Sequence, residues 1–355
     1  MEWLLQYIVF LAETVTVVIA IVVVLVFIIA QRKKSAPQGS LEIKDLTSEY
    51  HEIKETMQLN IMSEEQIKQF KKAQKKSKKQ EKKLAKQADK AASEKDDTDT
   101  AKPTNTHKDK ATCYVLSFNG SVDAHEVEDL RQEVSAVLSV VKPEDKVLLK
   151  LESPGGVVHG YGLAASQLMR FRKKDIPFTA IVDKVAASGG YMMACTANKI
   201  IAAPFAIVGS IGVVAQIPNF HRLLKKNEID VELQTAGQFK RTLTMFGENT
   251  DEGRKKFQEE LEETHLLFKD FVAENRPNIN IDDVATGEHW FAIQAQEKGL
   301  VDEISTSDDV ILSLIDEYKI IEVKFQRRKK LSERFAKNVV SGIEKLCFRN
   351  SRTIY

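Results

Sequence analysis

A serine and a lysine stand where chemistry could be done. Ser188 lies in the segment DKVAASGGYMMACTA, flanked by Ala187 and Gly189. Small neighbours at a strand-to-helix junction permit a strained turn and leave the hydroxyl open to substrate, which suits a nucleophile. A helix N-cap is the competing reading for such a serine. The two roles are compatible, because a helix N-terminus also stabilises developing negative charge. Upstream, Glu152-Ser153-Pro154-Gly155-Gly156 ends a strand-like run. Glycines there let backbone N–H groups face a ligand oxygen, as in an oxyanion hole or anion nest, although the same residues also make an ordinary tight turn.

A nucleophilic serine needs a base. His159, His221 and His265 are candidates by type, but none lies among small and glycine residues. Lys240, in QTAGQFKRTLTMFGENT, follows an expected strand (IDVELQT, 229–235) and a glycine-containing turn with few acids nearby. A lysine is a general base only when neutral, which requires burial and no carboxylate partner, so that its pKa falls from about 10.4 towards neutrality. With 52 basic residues in the chain, a solvated surface charge is the alternative reading of Lys240.

The elements that must position these residues alternate. CYVLSF (113–118) reads as a strand, and His125–Val141 as a helix with Val127, Leu130, Val134, Leu138 and Val141 on one stripe. KVLLKLE (146–152) is a second strand, Tyr161–Lys173 a helix and PFTAIVD (177–183) a third strand. Ala186–Ala197 reads as a small-residue helix, KIIAAP and AIVGSIGVVAQI as short strands, and Thr250–Arg276 as an amphipathic helix. This is an α/β chain of βαβ units on a mostly parallel sheet. The charge-free run Ile200–Phe220 belongs to that core rather than to a membrane span, since Pro204, Pro218, Gly209 and Gly212 interrupt it.

The 355 residues are 43% apolar, enough for a full core, which excludes a wholly disordered or collagen-like protein. Cys113, Cys195 and Cys347 are odd in number and form no CxxC pair, which argues against a disulfide scaffold or a zinc site, and no HExxH suggests a metal. Eighteen charge-free positions from Thr14 to Gln31 read as a transmembrane helix, and apolar residues extend upstream to Trp3. Arg32-Lys33-Lys34 follows the run, so the charge bias puts the C-terminal bulk in the cytosol. Residues 68–90 hold eleven Lys against Glu81 and Asp89, a local +9 that leaves −8 elsewhere in a chain of net +1. That stretch is a solvated spacer or a ligand for anionic lipid headgroups. Nucleic acid fits poorly, because Phe70 is the sole aromatic among those lysines. The organisation expected is an anchor at 1–31, a Lys-rich spacer and disordered linker at 32–110, a catalytic domain at 111–325 and a basic tail at 326–355.

LESPGGVVHGYG, DKVAASGGYMMACTANKI, APFAIVGSIGVVAQ and TAGQFKRTLTMFGENT, in that order, resemble the signal peptide peptidase A family of Ser-Lys serine peptidases. The likeness spans 111–325 and is weaker in the anchor and spacer. It implies a ClpP/crotonase-like spiral of βαβ units whose protomers assemble into homo-oligomeric rings, in a bacterial inner membrane, with no cofactor. Ser188 matches the nucleophile and Lys240, fifty-two residues on, the general base. Ser210 matches a hydroxyl that orients the lysine amine, and the backbone N–H groups of Gly155 and Gly189 match the oxyanion donors. In the family the serine and lysine of one site can come from adjacent subunits. The function implied is a membrane-anchored serine endopeptidase acting on unstructured or signal-peptide-like substrates through an acyl-enzyme. A crotonase-like acyl-CoA enzyme and a catalytically silent membrane scaffold are the alternatives. The family is discussed as acting in or outside the membrane whereas the charge bias favours the cytosol, so the side of the catalytic domain stays open.

Overall fold

Strands buried on both faces dictate the architecture. In the computed structural model, which describes residues 39–73, 75, 76 and 110–327 with Thr16 alone upstream, β2 (Thr112–Asn119), β3 (Lys146–Glu152) and β4 (Phe178–Val182) lie parallel and adjacent. Successive side chains on a strand face opposite ways. Accordingly Tyr114, Leu116 and Phe118, with Val147, Leu149 and Leu151, enter one core, while Cys113, Val115 and Leu148 enter a second. Such strands carry runs of buried residues facing both ways, as Cys113 to Leu116 of β2 show.

The chain divides into two compact units, 1–41 with 326–355 and 42–325, and the second holds both hydrophobic cores. Its main sheet has seven strands in the order β1-β10-β2-β3-β4-β6-β9, and a smaller sheet runs β5-β7-β8. The remaining strands are β1 (Gly39–Asp45), β5 (Val185–Ala187), β6 (Lys199–Ala202), β7 (Ile207–Gly209), β8 (His289–Phe291), β9 (Glu303–Ile304) and β10 (Lys319–Arg327). Helix α2 (Val127–Val140) crosses from β2 to β3 and α3 (Val158–Arg172) from β3 to β4, the parallel βαβ succession that the sequence implies. Their apolar stripes, among them Leu130, Val134, Tyr161, Leu168 and Phe171, fill the larger core. After the short α5 (His221–Lys226), helix α6 (Asp251–Asn275) adds Phe268 and Val272, and Thr250 caps it by accepting from the Gly253 amide.

Four segments differ from the sequence reading. Within the supposed spacer, β1 is followed by α1 (Leu46–Ile61), and Leu46 and Tyr50 pack on the second core with Ile311 and Ile320. Charges alternate with Leu41 and Ile43 in β1, which hides the strand from a hydrophobic-run criterion. The helix expected at Ala186–Ala197 is strand β5 and then a short α4 (Gly189–Ala194), because β5 bonds to β7. IDVELQT is not a strand: 225–241 are all exposed, with no sheet edge to pair against. The charge-free run is core only in part: Ile200, Ala202, Val208 and Ile211 are buried, whereas Phe205 and 214–220 are exposed and the strand expected over AIVGSIGVVAQI is limited to Ile207–Gly209. Among the described residues no helix is long and apolar enough to cross a membrane, and the anchor expected at 1–31 lies outside them apart from Thr16. The linker from 89 to 109 and the tail beyond Arg327 also lie outside.

Glu133 on α2 is 3% exposed, and its Oε1 accepts from the Phe325 amide of β10 at 2.7 Å. Burial pushes its carboxyl up to about 7, against the pull of that hydrogen bond. The unfolded chain releases this proton near the ordinary glutamate value, so stability is full below about pH 4.5 and falls as pH rises towards 7. Glu133→Gln keeps the acceptor and removes the titration. It is expected to match the wild type in thermal unfolding at pH 4.5 and to be more stable at pH 8, by on the order of 2–3 kcal/mol.

Candidate active site

The two sheets meet at one residue. Ser153, just past β3, donates its amide to Val185 (2.8 Å) and accepts from the Ala187 amide (3.0 Å), so the main sheet hands over to β5 there. This handover sets the Pro154-Gly155-Gly156 turn beside the end of β5, where Ser188 follows. Gly155 has φ +88°, and a Cβ on it would lie 2.7 Å from Ser188 Cβ and 2.8 Å from the Gly189 nitrogen. Glycine is required by both the conformation and the space.

Ser188 has φ 51° and ψ −117°. Non-glycine residues avoid such a backbone, at a cost of about 1–3 kcal/mol, and it persists only where surroundings over-determine it. Here its amide donates to Gly209 at 2.8 Å and its carbonyl accepts from Met192 at 2.9 Å in α4. Gly209 is fixed in turn by β5, by β8 and by the Trp290 ring, 2.9 Å from where its Cβ would stand. Ser210 follows at φ 52°, its amide donating to Glu288. Two successive sheet ends thus present two serines at positive φ.

Both serines line a cleft of about 870 Å³ with Gly155, Gly156 and Gly189 on one wall. Val122, Val157, Met192, Val213 and Phe268 supply an apolar lining. The amides of Gly156 and Gly189 have no hydrogen-bond partner among the described residues. The Gly155 amide, expected as an oxyanion donor, instead donates to Ser153 Oγ at 3.1 Å, so the open amide of the turn is that of Gly156. Ser188 heads α4, so its hydroxyl stands at a helix N-terminus, as the cap reading also requires; it makes no side-chain cap bond there.

Lys240 is not among the cleft-lining residues. It sits in the exposed stretch 225–241, after a turn in which its amide bonds to Gly237, and its side chain has no carboxylate partner among the described residues. Of the expected site residues, one chain brings Ser188, Ser210, Gly155 and Gly189 together and leaves Lys240 outside. His265, a candidate base by type that its sequence neighbours spoke against, reaches the cleft from α6 and lies 3.3 Å from the Ile211 carbonyl through Nε2. Neither its spacing nor its neighbours in sequence signalled this, because α6 is brought there by tertiary packing of Phe268 and Val272. Cys113 and Cys195 are buried free thiols, each pushed up to about 12 by burial, and play no part in the cleft.

Two family models match in succession, peptidase family S49 N-terminal over residues 2–168 and peptidase family S49 over 170–320. The probable protease SohB of Haemophilus influenzae is 52% identical over 346 residues, covering 97% of this chain and 95% of that protein. The chain belongs to peptidase family S49. Its relatives there are of the SohB type: the probable protease SohB of Buchnera aphidicola subsp. Schlechtendalia chinensis is 49% identical over 316 residues, 88% of this chain and 100% of that one. Within this S49 peptidase an added methyl at Gly155 meets both a positive φ and the close approach of Ser188 Cβ and the Gly189 nitrogen. Gly155→Ala is expected to lower peptide hydrolysis about a hundredfold or more while the protein stays folded, measured as kcat/KM beside circular dichroism.

Proposed function

We propose that this chain is a serine endopeptidase using Ser188 as nucleophile and Lys240 as general base. The observation that carries the reading is the strained backbone of Ser188, facing an apolar cleft beside two unengaged amides. Lys240 takes the Ser188 proton as Oγ bonds to the scissile carbonyl carbon. The resulting oxyanion is held by the Gly189 amide and by the turn at Gly155 and Gly156. Collapse breaks the C–N bond, and the Lys240 ammonium returns its proton to the leaving amine. Water then attacks the ester, giving a proton to Lys240 that passes back to Ser188 Oγ. Ser210 keeps the lysine amine aimed.

Lys240 reaches this cleft from a neighbouring copy of the chain, in a homo-oligomeric ring. Support comes from the stretch that carries it, where Val231, Leu233 and Phe239 are all more than 40% exposed. Apolar side chains so placed in a single chain are suited to burial in an assembly, and enclosure is also what a lysine needs to act as a base. The family-wide expectation of a ClpP/crotonase-like spiral is compatible with the parallel sheet and its βαβ order. Unstructured or signal-peptide-like segments are the substrates proposed, since a ring would exclude folded proteins. The catalytically silent scaffold keeps one observation in its favour, the separation of Lys240 from Ser188 within one chain.

A fluorophosphonate probe on the assembled protein separates these readings. Wild type should label, whereas Ser188→Ala and Lys240→Ala should not, with peptide hydrolysis lowered by about four orders of magnitude or more. Co-assembly of the two variants should restore part of the activity, because some sites then combine an intact serine with an intact lysine. Absence of labelling in assembled wild type would establish the scaffold.

The run from Thr14 to Gln31 is proposed to anchor the chain in the bacterial inner membrane, with the catalytic domain on the cytosolic face. Cys113 is buried and unsuited to reporting this. A cysteine introduced between 89 and 109 should resist an impermeant maleimide in intact spheroplasts and react after lysis; reaction before lysis would place the domain outside.

A further inference from the structure

Beneath the cleft a buried tyrosine touches both walls of the proposed oxyanion site. Tyr161, fully buried on α3, donates its phenol hydrogen to the Ser121 carbonyl at 2.8 Å. With that hydrogen committed, the 2.5 Å contact between Tyr161 Oη and Ser153 Oγ is donated by the serine. Ser153 Oγ in turn accepts from the Gly155 amide at 3.1 Å. The bonds run one way, from Gly155 through Ser153 and Tyr161 to Ser121, so each polarises the next. On its other side the same ring lies under Gly189, where a Cβ would stand 2.4 Å from Tyr161 Cγ. Gly120 closes the space above, its absent Cβ 2.5 Å from the phenol oxygen and 3.0 Å from Ser153 Oγ.

We infer that Tyr161, acting through Ser153 and its bond from the Gly155 amide, is a positioning residue that sets the spacing between the open amide of Gly156 in the turn and the amide of Gly189. The inference rests on the peptidase reading of the cleft. Ser121 adjoins Val122, whose carbonyl accepts from the Val157 amide at 2.9 Å, so the relay and this bond grip the turn from both ends. Burial raises the Tyr161 phenol above its ordinary range, which keeps the donated hydrogen in place through neutral pH. An oxyanion hole acts by holding donors where charge will develop, so a displacement of the turn weakens the transition state without weakening substrate binding.

The test uses the full chain, assembled in detergent, with a peptide substrate and a peptide boronate whose tetrahedral adduct puts an oxygen at the oxyanion position. Tyr161→Phe removes one oxygen, and Ser153→Ala breaks the same relay where the first variant assembles poorly. Each is expected to lower kcat between about tenfold and a hundredfold at unchanged KM, and to weaken the boronate by the same factor. The double variant should cost no more than the larger single loss, since one relay is broken in either case. Unchanged kcat and boronate affinity with a lowered melting temperature would overturn the proposal. Wild type insensitive to the boronate would overturn the peptidase reading beneath it, whereas a sensitive wild type with a Tyr161→Phe variant equal to it would overturn the relay alone.

Discussion

Ser188 holds a backbone conformation that a serine avoids unless its surroundings impose it, and the architecture around it supplies that imposition. Its amide is fixed by Gly209 of one sheet end and its carbonyl by the first turn of α4. The first restraint comes from twenty-one residues along the chain, the second from four. The first needs β7 to lie parallel to β5, and the second needs α4 to begin at once, with no intervening loop. A cost of about 1–3 kcal/mol is sustained because these restraints are anchored in cores that the long apolar strands build. Strain and exposure of the hydroxyl are thus one feature: the sharp turn that is disfavoured is also the turn that leaves Oγ uncovered.

Much of this was legible in the residues. β2, β3, β4, α2 and α6 fall close to where periodicity puts them, because each is long enough for burial to dominate local choice. The Pro154-Gly155-Gly156 turn and the small residues around Ser188 also announced a close approach of backbones, and the clash distances at Gly155 give it a physical basis. What could not be read was anything set by pairing between distant segments. β5 is three residues long and exists because β7 and the Ser153 bridge recruit it. β1 and α1 looked like spacer, since their burial is supplied by a core assembled from strands more than sixty residues further along. His265 carries no local mark of its place in the cleft, nor Tyr161 of its place beneath it, and IDVELQT has strand-like residues with no neighbouring strand.

The division between the two halves of the site follows the same logic. Residues 111–212 lie in the parallel layers and are held by them, so Ser188, Ser210 and the glycine turn are set within one chain. The stretch carrying Lys240 leaves those layers and returns at α6, with its apolar side chains turned to solvent. An excursion of this kind gains nothing in hydrophobic free energy from its own chain. In the peptidase reading its burial and the completion of the dyad are a single event, which makes hydrolysis conditional on assembly.

Ser153 fastens the large sheet to the small one through its amide and carbonyl, while its hydroxyl grips the turn beside the nucleophile. One residue therefore acts as a rivet through two plates beneath the cleft. Sliding of either plate past the other must pull on that rivet and alter the gap in which a carbonyl carbon would react. The relative alignment of the sheets is accordingly written into the width of the reaction centre, and a protomer distorted far from the cleft would register the distortion there.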